Sequence, residues 1–312
     1  VVDDGSSDGT GAVARATAEG ASRPVHAIGA PPLPAGWTGK LWALETGIAA
    51  ARERAPGAEW LLLTDADIRH APDTLARLVG LAEDRGLDLA SLMARLDARG
   101  VWGRLLIPAF VFFFQKLYPF SWVNDPAQPE AGAAGGCVLV RRGALEAAGG
   151  IAAIRGALID DCALAALVKH ATPARGGGAG GRIWLGLTRG AVVSLRDNRA
   201  LAAIWRMVAR SAYTQLRHSP ALLAGTVAGM ALLYLAGPIA VLALPLHGGA
   251  LAALLGLAVW ALMAAAYRPT LRLYGMDGAA ALALPAAALL YTLMTLDSAR
   301  RHWQGRGGAW EG

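Results

Sequence analysis

Hydrophobic and polar positions divide the chain sharply. Residues 219–296 are almost continuously apolar, and Arg268, Arg272 and Asp277 are their only charged positions. Residues 1–218 instead set short apolar runs between polar segments, which predicts a soluble α/β domain followed by a membrane domain. In that first part, Val1-Val2 followed by Asp3-Asp4-Gly5-Ser6-Ser7-Asp8-Gly9-Thr10 reads as a strand end, a polar turn and a helix start. Residues 40–54 place Leu41, Leu44 and Ile48 at helical spacing. Trp60–Thr64 fits a buried parallel strand, and residues 65–72 form a loop. Pro72 opens an amphipathic helix carrying Leu75, Leu78, Val79 and Ala82. Leu87–Met93 and Gly135–Val140 are further strand candidates, and Asp160-Asp161 begins a helix carrying Leu164, Leu167 and Val168. The alternation predicts a parallel sheet with ligands at its carboxyl edge.

Three regions bear on the membrane. Leu105–Phe114 is apolar and is followed by Lys116, Tyr118, Phe120 and Trp122. It is short for a bilayer crossing, so the alternatives are an interfacial helix or lipid-facing wall, and a buried core helix. Over 199–218, Arg199, Arg206, Arg210 and Arg217 would share one face of a single helix, the pattern of a basic amphipathic helix lying on a membrane; an ordinary solvated face is the other reading. Spans at about 221–246, 249–267 and 279–296 approach or exceed the length needed to cross, with Pro238 and Pro285 as expected kinks. Three crossings would leave the tail with Arg300, Arg301 and Arg306 on the far side, against the positive-inside rule. Either one span does not cross or the tail is an exception.

The net charge of +6 comes mostly from arginine; Lys40, Lys116 and Lys169 are the only lysines. With a membrane segment in the same chain, that charge fits an anionic lipid surface, and no nucleic-acid partner is expected. Cys137 and Cys162 imply no disulfide framework. A Gly-rich surface loop is expected over 172–181, and residues 305–310 are expected to fold back as a cap.

The candidate chemistry lies in three acidic clusters, each at a strand end or helix start: Asp3-Asp4, Asp65-Ala66-Asp67 and Asp160-Asp161. Two carboxylates spaced i, i+2 at a turn can hold one hard cation such as Mg²⁺ or Mn²⁺. Such an ion stabilises a diphosphate leaving group, and a separate carboxylate can take the proton of an attacking hydroxyl.

The segments VVDDGSSDGT at 1–10, GKLWALETG at 39–47, TDADIRHAPDTL at 64–75 and GGCVLVRRGALEAAGG…IDDCALA within 135–165 resemble family 2 glycosyltransferases of the GT-A fold. With the aromatic 105–122 segment, the QLRHSP stretch and the C-terminal spans, the chain resembles the hopene-associated subgroup. The resemblance implies a Rossmann-like mixed sheet over 1–198 that lacks its first strand and helix. A basic interfacial helix at 199–218, about three transmembrane helices within 219–297 and a basic tail at 298–312 would follow. It implies an inverting transferase in a bacterial inner membrane, its catalytic domain cytoplasmic, with a nucleotide-diphospho-sugar donor, a lipid acceptor such as a hopanoid, and Mg²⁺ or Mn²⁺. Asp3, Asp4, Lys40 and Asp65 would contact the donor, and Asp67 with Asp65 would hold the metal. Asp161 would be the general base beside Asp160, which replaces the family's Glu. Gly135, Gly136 and Cys137 would line the acceptor or sugar pocket. Gln215 and Arg217 loosely match a family motif at altered spacing.

Two rival readings stand beside this one. A haloacid-dehalogenase-like phosphotransferase also follows an apolar strand with Asp-x-Asp, but Arg69 occupies the position of its usual Thr, and DDGSSDGT has no counterpart there. A non-catalytic membrane scaffold with a degenerate transferase domain would not need the full acidic set.

Overall fold

The computed structural model describes residues 1–171 and 180–306. Most of the expected 172–181 loop and the end of the expected cap lie outside the described residues. Along the chain run β1 (Val2–Asp3), α1 (Thr10–Glu19), β2 (Ile28–Gly29), α2 (Gly39–Arg54), β3 (Trp60–Leu63), β4 (Ile68–His70), α3 (Thr74–Asp84) and β5 (Leu89–Met93). Next come α4 (Gly100–Leu117), α5 (Phe120–Val123), β6 (Val138–Arg141), α6 (Arg142–Ala147), α7 (Asp160–Ala171), β7 (Ile183–Leu187) and β8 (Val192–Ser194). The helices α8 (Leu201–Ala209), α9 (Ala212–Gln215), α10 (Pro220–Met230), α11 (Ala236–Leu242), α12 (Leu244–His247), α13 (Ala250–Leu273) and α14 (Leu284–Trp303) complete the series.

The chain forms two compact units. Among the described residues, the first comprises residues 1–94 and 120–192; the second comprises 95–119 and 193–306. The boundary thus differs from a single domain over 1–198, because α4 belongs to the second unit.

In the first unit a four-stranded sheet runs β3-β6-β5-β7. β5 and β7 are parallel, with Ala90 opposite Trp184, while β6 is antiparallel to both β3 and β5, with Val140 opposite Leu61 and Leu89. The sheet is therefore mixed, as the family resemblance implies, and not the parallel sheet that strand alternation alone predicts. All four β6 residues are buried, and the short apolar run Val138–Val140 carries no mark of strand direction. Leu78 and Ala82 of α3 pack with Leu87, Ala90, Cys137, Leu139 and Val192 to form the core, each large side chain contributing about 1.5–3 kcal/mol by leaving water. At one side of β7 the Asn124 amide pairs with the Leu185 backbone at 2.7 and 3.1 Å. The buried Lys169 ammonium of α7 donates to the carbonyls of Trp122, Val123, Asp125 and Glu130 at 3.4, 2.9, 3.0 and 2.7 Å. These contacts fasten the 122–130 segment to the sheet and to α7.

Among the described residues, the second unit contains four helical stretches long and apolar enough to cross a membrane: Gly100–Leu117, Pro220–Leu242, Ala250–Leu273 and Gly278–Trp303. The last three coincide with the expected spans, and α4 adds a fourth. Leu242, Leu246, Leu251, Leu254 and Leu262 are exposed, as side chains facing lipid would be. The helices α11 and α13 approach closely where a side chain on Gly256 would meet the Gly237 carbonyl. The kink expected at Pro238 takes the form of a π-turn at Ala231–Leu235, since Pro238 cannot donate back to Tyr234. Pro285 stands in the first turn of α14, directly after a 3₁₀ helix at Gly278–Ala283, so the third span is two helices joined at Ala283–Leu284.

One expected element is not formed. Residues 199–218 are not a single helix, because α8 ends at Ala209 and α9 at Gln215, and Arg217 and His218 have φ of 52° and 53°. Arg199 precedes α8 and is bound to Asp197 at 2.5 Å. The four arginines therefore do not share one helical face. α8 and α9 are held by α14 instead: Trp205 Nε1 donates to Asp297 at 2.8 Å, and the Tyr213 amide donates to Ser298 at 3.0 Å.

Candidate active site

The site is built at the end of β3, the start of α2 and the start of α7. Thr38 caps α2 by accepting from the Leu41 amide, which places Lys40 in the first turn of that helix. β1 runs against α2 so closely that a Cβ on Gly39 would lie 2.6 Å from Asp4 Oδ2. The Asp4 carboxylate thus occupies the space beside Gly39 that a side chain there would fill. Asp3 instead organises its own turn, accepting from the Ser6 amide at 3.0 Å and from the Ser6 hydroxyl. Those two bonds hold the Asp3 carboxyl below the usual carboxylate range.

Lys40 joins two clusters that are far apart in sequence. Its ammonium lies 3.0 Å from Asp65 Oδ1 and 2.9 Å from Asp160 Oδ2. Burial works to lower the pKa of this ammonium, but Asp160 and then Asp65 outweigh it and raise it well above the usual lysine range. Asp161 lies alongside. Its Oδ2 accepts from the Gly135 amide at 2.9 Å and its Oδ1 from the Cys162 amide at 2.8 Å. Burial, and then the neighbouring Asp160 charge, push the Asp161 carboxyl up to about 6, against the opposing effect of Lys40 and the two amides. Gly135 is pressed into this group: a Cβ there would lie 3.0 Å from Lys40 Nζ and 3.5 Å from Asp161 Oδ2. Lys40, Asp65, Gly135, Asp160 and Asp161 line a cleft of about 330 Å³ open to solvent, whose apolar wall includes Leu44 and Ile154.

Two hydroxyls to which the sequence alone assigns no role hold this arrangement. Ser91, fully buried on β5, accepts from the Ala134 amide at 2.9 Å and lies 3.1 Å from the Cys137 carbonyl. Thr64, at the end of β3, donates to the Gly136 carbonyl at 2.9 Å and contacts His70 Nε2 at 2.8 Å. Together they fix the 134–137 loop that carries the Gly135 amide. Ser91 has no sequence signal, since an isolated Ser in a strand is commonplace, whereas Thr64 opens the TDADIRHAPDTL segment.

Other expected site residues fall differently. Asp67 is partly exposed on the turn between β3 and β4. Gly136 packs on Ile68, where a Cβ would lie 2.9 Å from Cδ1. Cys137 does not line the cleft: it is wholly buried in the sheet core, and burial raises its thiol to about 11. Gln215 and Arg217 belong to the second unit, where Gln215 Oε1 accepts from the Tyr118 hydroxyl at 2.8 Å. Among the described residues no three His, Cys, Asp or Glu side chains gather as a ready-made metal cage. Mg²⁺ commonly takes one or two carboxylates and completes its shell with substrate phosphate and water; here Asp65 is paired with Lys40, and Asp67 stands two residues on, partly exposed.

A mixed α/β domain with strand-end and helix-start acids converging on one lysine in a cleft with largely apolar walls, joined to a unit of long apolar helices, points to a membrane-associated protein. Residues 1–149 match the family model described as Glycosyl transferase family 2. That match supports a family 2 glycosyltransferase and nucleotide-sugar glycosyl transfer in general terms. No curated protein matches the chain.

Proposed function

We propose that the protein transfers a sugar from a nucleotide-diphospho-sugar to the hydroxyl of a lipid acceptor, with inversion and with Asp161 as general base. The observation that carries this reading is the joining of Asp65 and Asp160 by Lys40, with Asp161 beside them in one cleft. Asp4 and Lys40 face the donor in this reading, with Asp3 supporting the turn. Lys40 offers a fixed positive charge to the diphosphate, and the uncharged Gly135-Gly136 backbone leaves room for the sugar. Asp161 has a raised pKa, both of its oxygens are oriented by amides, and it takes the acceptor proton in a single displacement. Asp160 acts beside it by keeping Lys40 in place. Asp65 and Asp67 would hold Mg²⁺ or Mn²⁺, which when bound supplies charge stabilisation to the departing diphosphate. Neither Gln215 nor Arg217 is given a role in the chemistry.

A lipid acceptor is supported by the apolar helices of the second unit. A hopanoid or related polyisoprenoid acceptor, and a bacterial inner membrane with the catalytic domain cytoplasmic, rest on the resemblance to the hopene-associated subgroup. The test is a panel of nucleotide sugars incubated with protein-bearing membranes and lipid extract, followed by mass analysis. A new glycolipid that disappears with Asp161→Asn, while donor binding persists, is the expected result. Undiminished turnover of Asp161→Asn would overturn the assignment of the base. Release of phosphate from simple phosphomonoesters without glycolipid would favour a phosphotransferase instead.

A further inference from the structure

Contacts within the second unit fix the level of each helix along its long axis. α10–α11 and α13 form an antiparallel hairpin through the turn at 243–249, so Pro220 and Tyr274 stand at one end and His247 at the other. The last span does not continue this alternation. Gly278 lies against Arg268, and Trp260 Nε1 donates to the Leu282 carbonyl at 3.2 Å. The 3₁₀ segment Gly278–Ala283 therefore runs back along α13, to a level about 20 Å from Tyr274 at about 1.5 Å per residue. From there α14 returns. Phe113 makes edge contacts with both Tyr234 and Tyr291 at 5.3 Å, which sets Tyr291 at the depth of the π-turn. Ala299 packs with Leu223 and Tyr213, and His302 stacks on His218 at 4.1 Å, which sets the end of α14 beside the start of α10. The chain reverses at Ala283–Leu284, where the 3₁₀ helix stops and Pro285 has no N–H to continue the ladder.

The ends of α4 lie at that same end of the unit. Arg95, before α4, donates to the Tyr274 carbonyl at 3.4 Å and stands over the Tyr274 ring. Tyr118, after α4, bonds to Gln215. Val193, where the chain enters again, bridges to Arg95.

We propose that the membrane unit crosses the bilayer only twice, through α10–α11 and α13, that Gly278–Trp303 is a re-entrant hairpin, that α4 leaves on the side from which it enters, and that the arginine-bearing end docks on the anionic headgroups of one leaflet. Residues 219–267 carry no Asp, Glu, Lys or Arg, so the far turn is neutral apart from His247. Arg95, Arg99, Arg199, Arg272, Arg300 and Arg301 all fall at the near end, the distribution that an anionic leaflet and the positive-inside rule both favour. The tail then lies on the side where the chain enters, which removes the conflict that three crossings create. This inference does not depend on the reaction catalysed.

Cys137 and Cys162 are buried, so single cysteines introduced elsewhere can be read in the full-length protein. Ala21→Cys, His247→Cys and Gln304→Cys would be treated with a membrane-impermeant maleimide in sealed vesicles of each orientation. The expected result is that Ala21→Cys and Gln304→Cys label from one side and His247→Cys from the other. Labelling of Gln304→Cys from the His247→Cys side would overturn the proposal. So would labelling of Gln304→Cys or His247→Cys only after detergent is added.

Discussion

Lys40 Nζ lies 2.9 Å from Asp160 Oδ2, and the same ammonium reaches Asp65 at 3.0 Å. Asp160 is thus held by a residue more than a hundred positions away, and removing the lysine leaves carboxylates facing one another. Lys40→Met is expected to weaken donor binding about 10- to 100-fold and to destabilise the fold by about 1–3 kcal/mol. Lys40→Arg keeps the charge and should lose less of both. Donor titration by calorimetry and thermal unfolding in detergent check the two effects.

The raised Asp161 pKa predicts how activity depends on acidity. A base must be ionised to accept a proton, so transfer should fall as pH drops through about 6. Because the Asp160 charge helps raise that value, Asp160→Asn should move the lower limb of the pH–rate profile to lower pH. An unmoved limb would mean that another group titrates.

The same shift bears on stability with a definite sign. The folded state holds the Asp161 proton more tightly than the unfolded chain, so this group's contribution is full below about 3.8 and is lost as pH rises through about 6. At pH 7 the folded protein therefore bears the cost of a buried charge. Asp161→Asn should raise Tm at pH 7 and change it little near pH 3.5, while transfer is abolished. Melting curves at both values check this.

Ser91 affects the site only through the 134–137 loop. Ser91→Ala leaves the buried Ala134 amide without its acceptor, at a cost of about 1–3 kcal/mol. Loosening the Gly135 amide should lower kcat more than it raises KM for the donor, and should shift the pH limb assigned to Asp161. A purely structural role would lower Tm and leave that limb in place.

Lys169 ties four carbonyls to α7, and Lys169→Met would leave all four without their donor. The expected loss is about 2–4 kcal/mol, with faster proteolysis within residues 122–130. Limited digestion followed by mass analysis of fragments checks it.

Much of the architecture follows from the one-dimensional pattern. The stretch 219–296 announces apolar helices because a backbone in lipid must satisfy its own hydrogen bonds, and that requirement acts residue by residue along the chain. Asp65-x-Asp67 after a buried strand and Asp160-Asp161 before a helix are likewise local features, since strand ends and helix starts are set by neighbouring residues. The direction of β6, the burial of Cys137 and the break in the 199–218 helix were not legible. Each depends on which distant surface an apolar or polar side chain meets. Only the folded chain brings Lys40 to Asp160, lays Gly135 against Lys40 and Asp161, and sets the end of α14 beside the start of α10. Those relationships are contacts between residues far apart in sequence, and no local periodicity encodes the partner that packing selects.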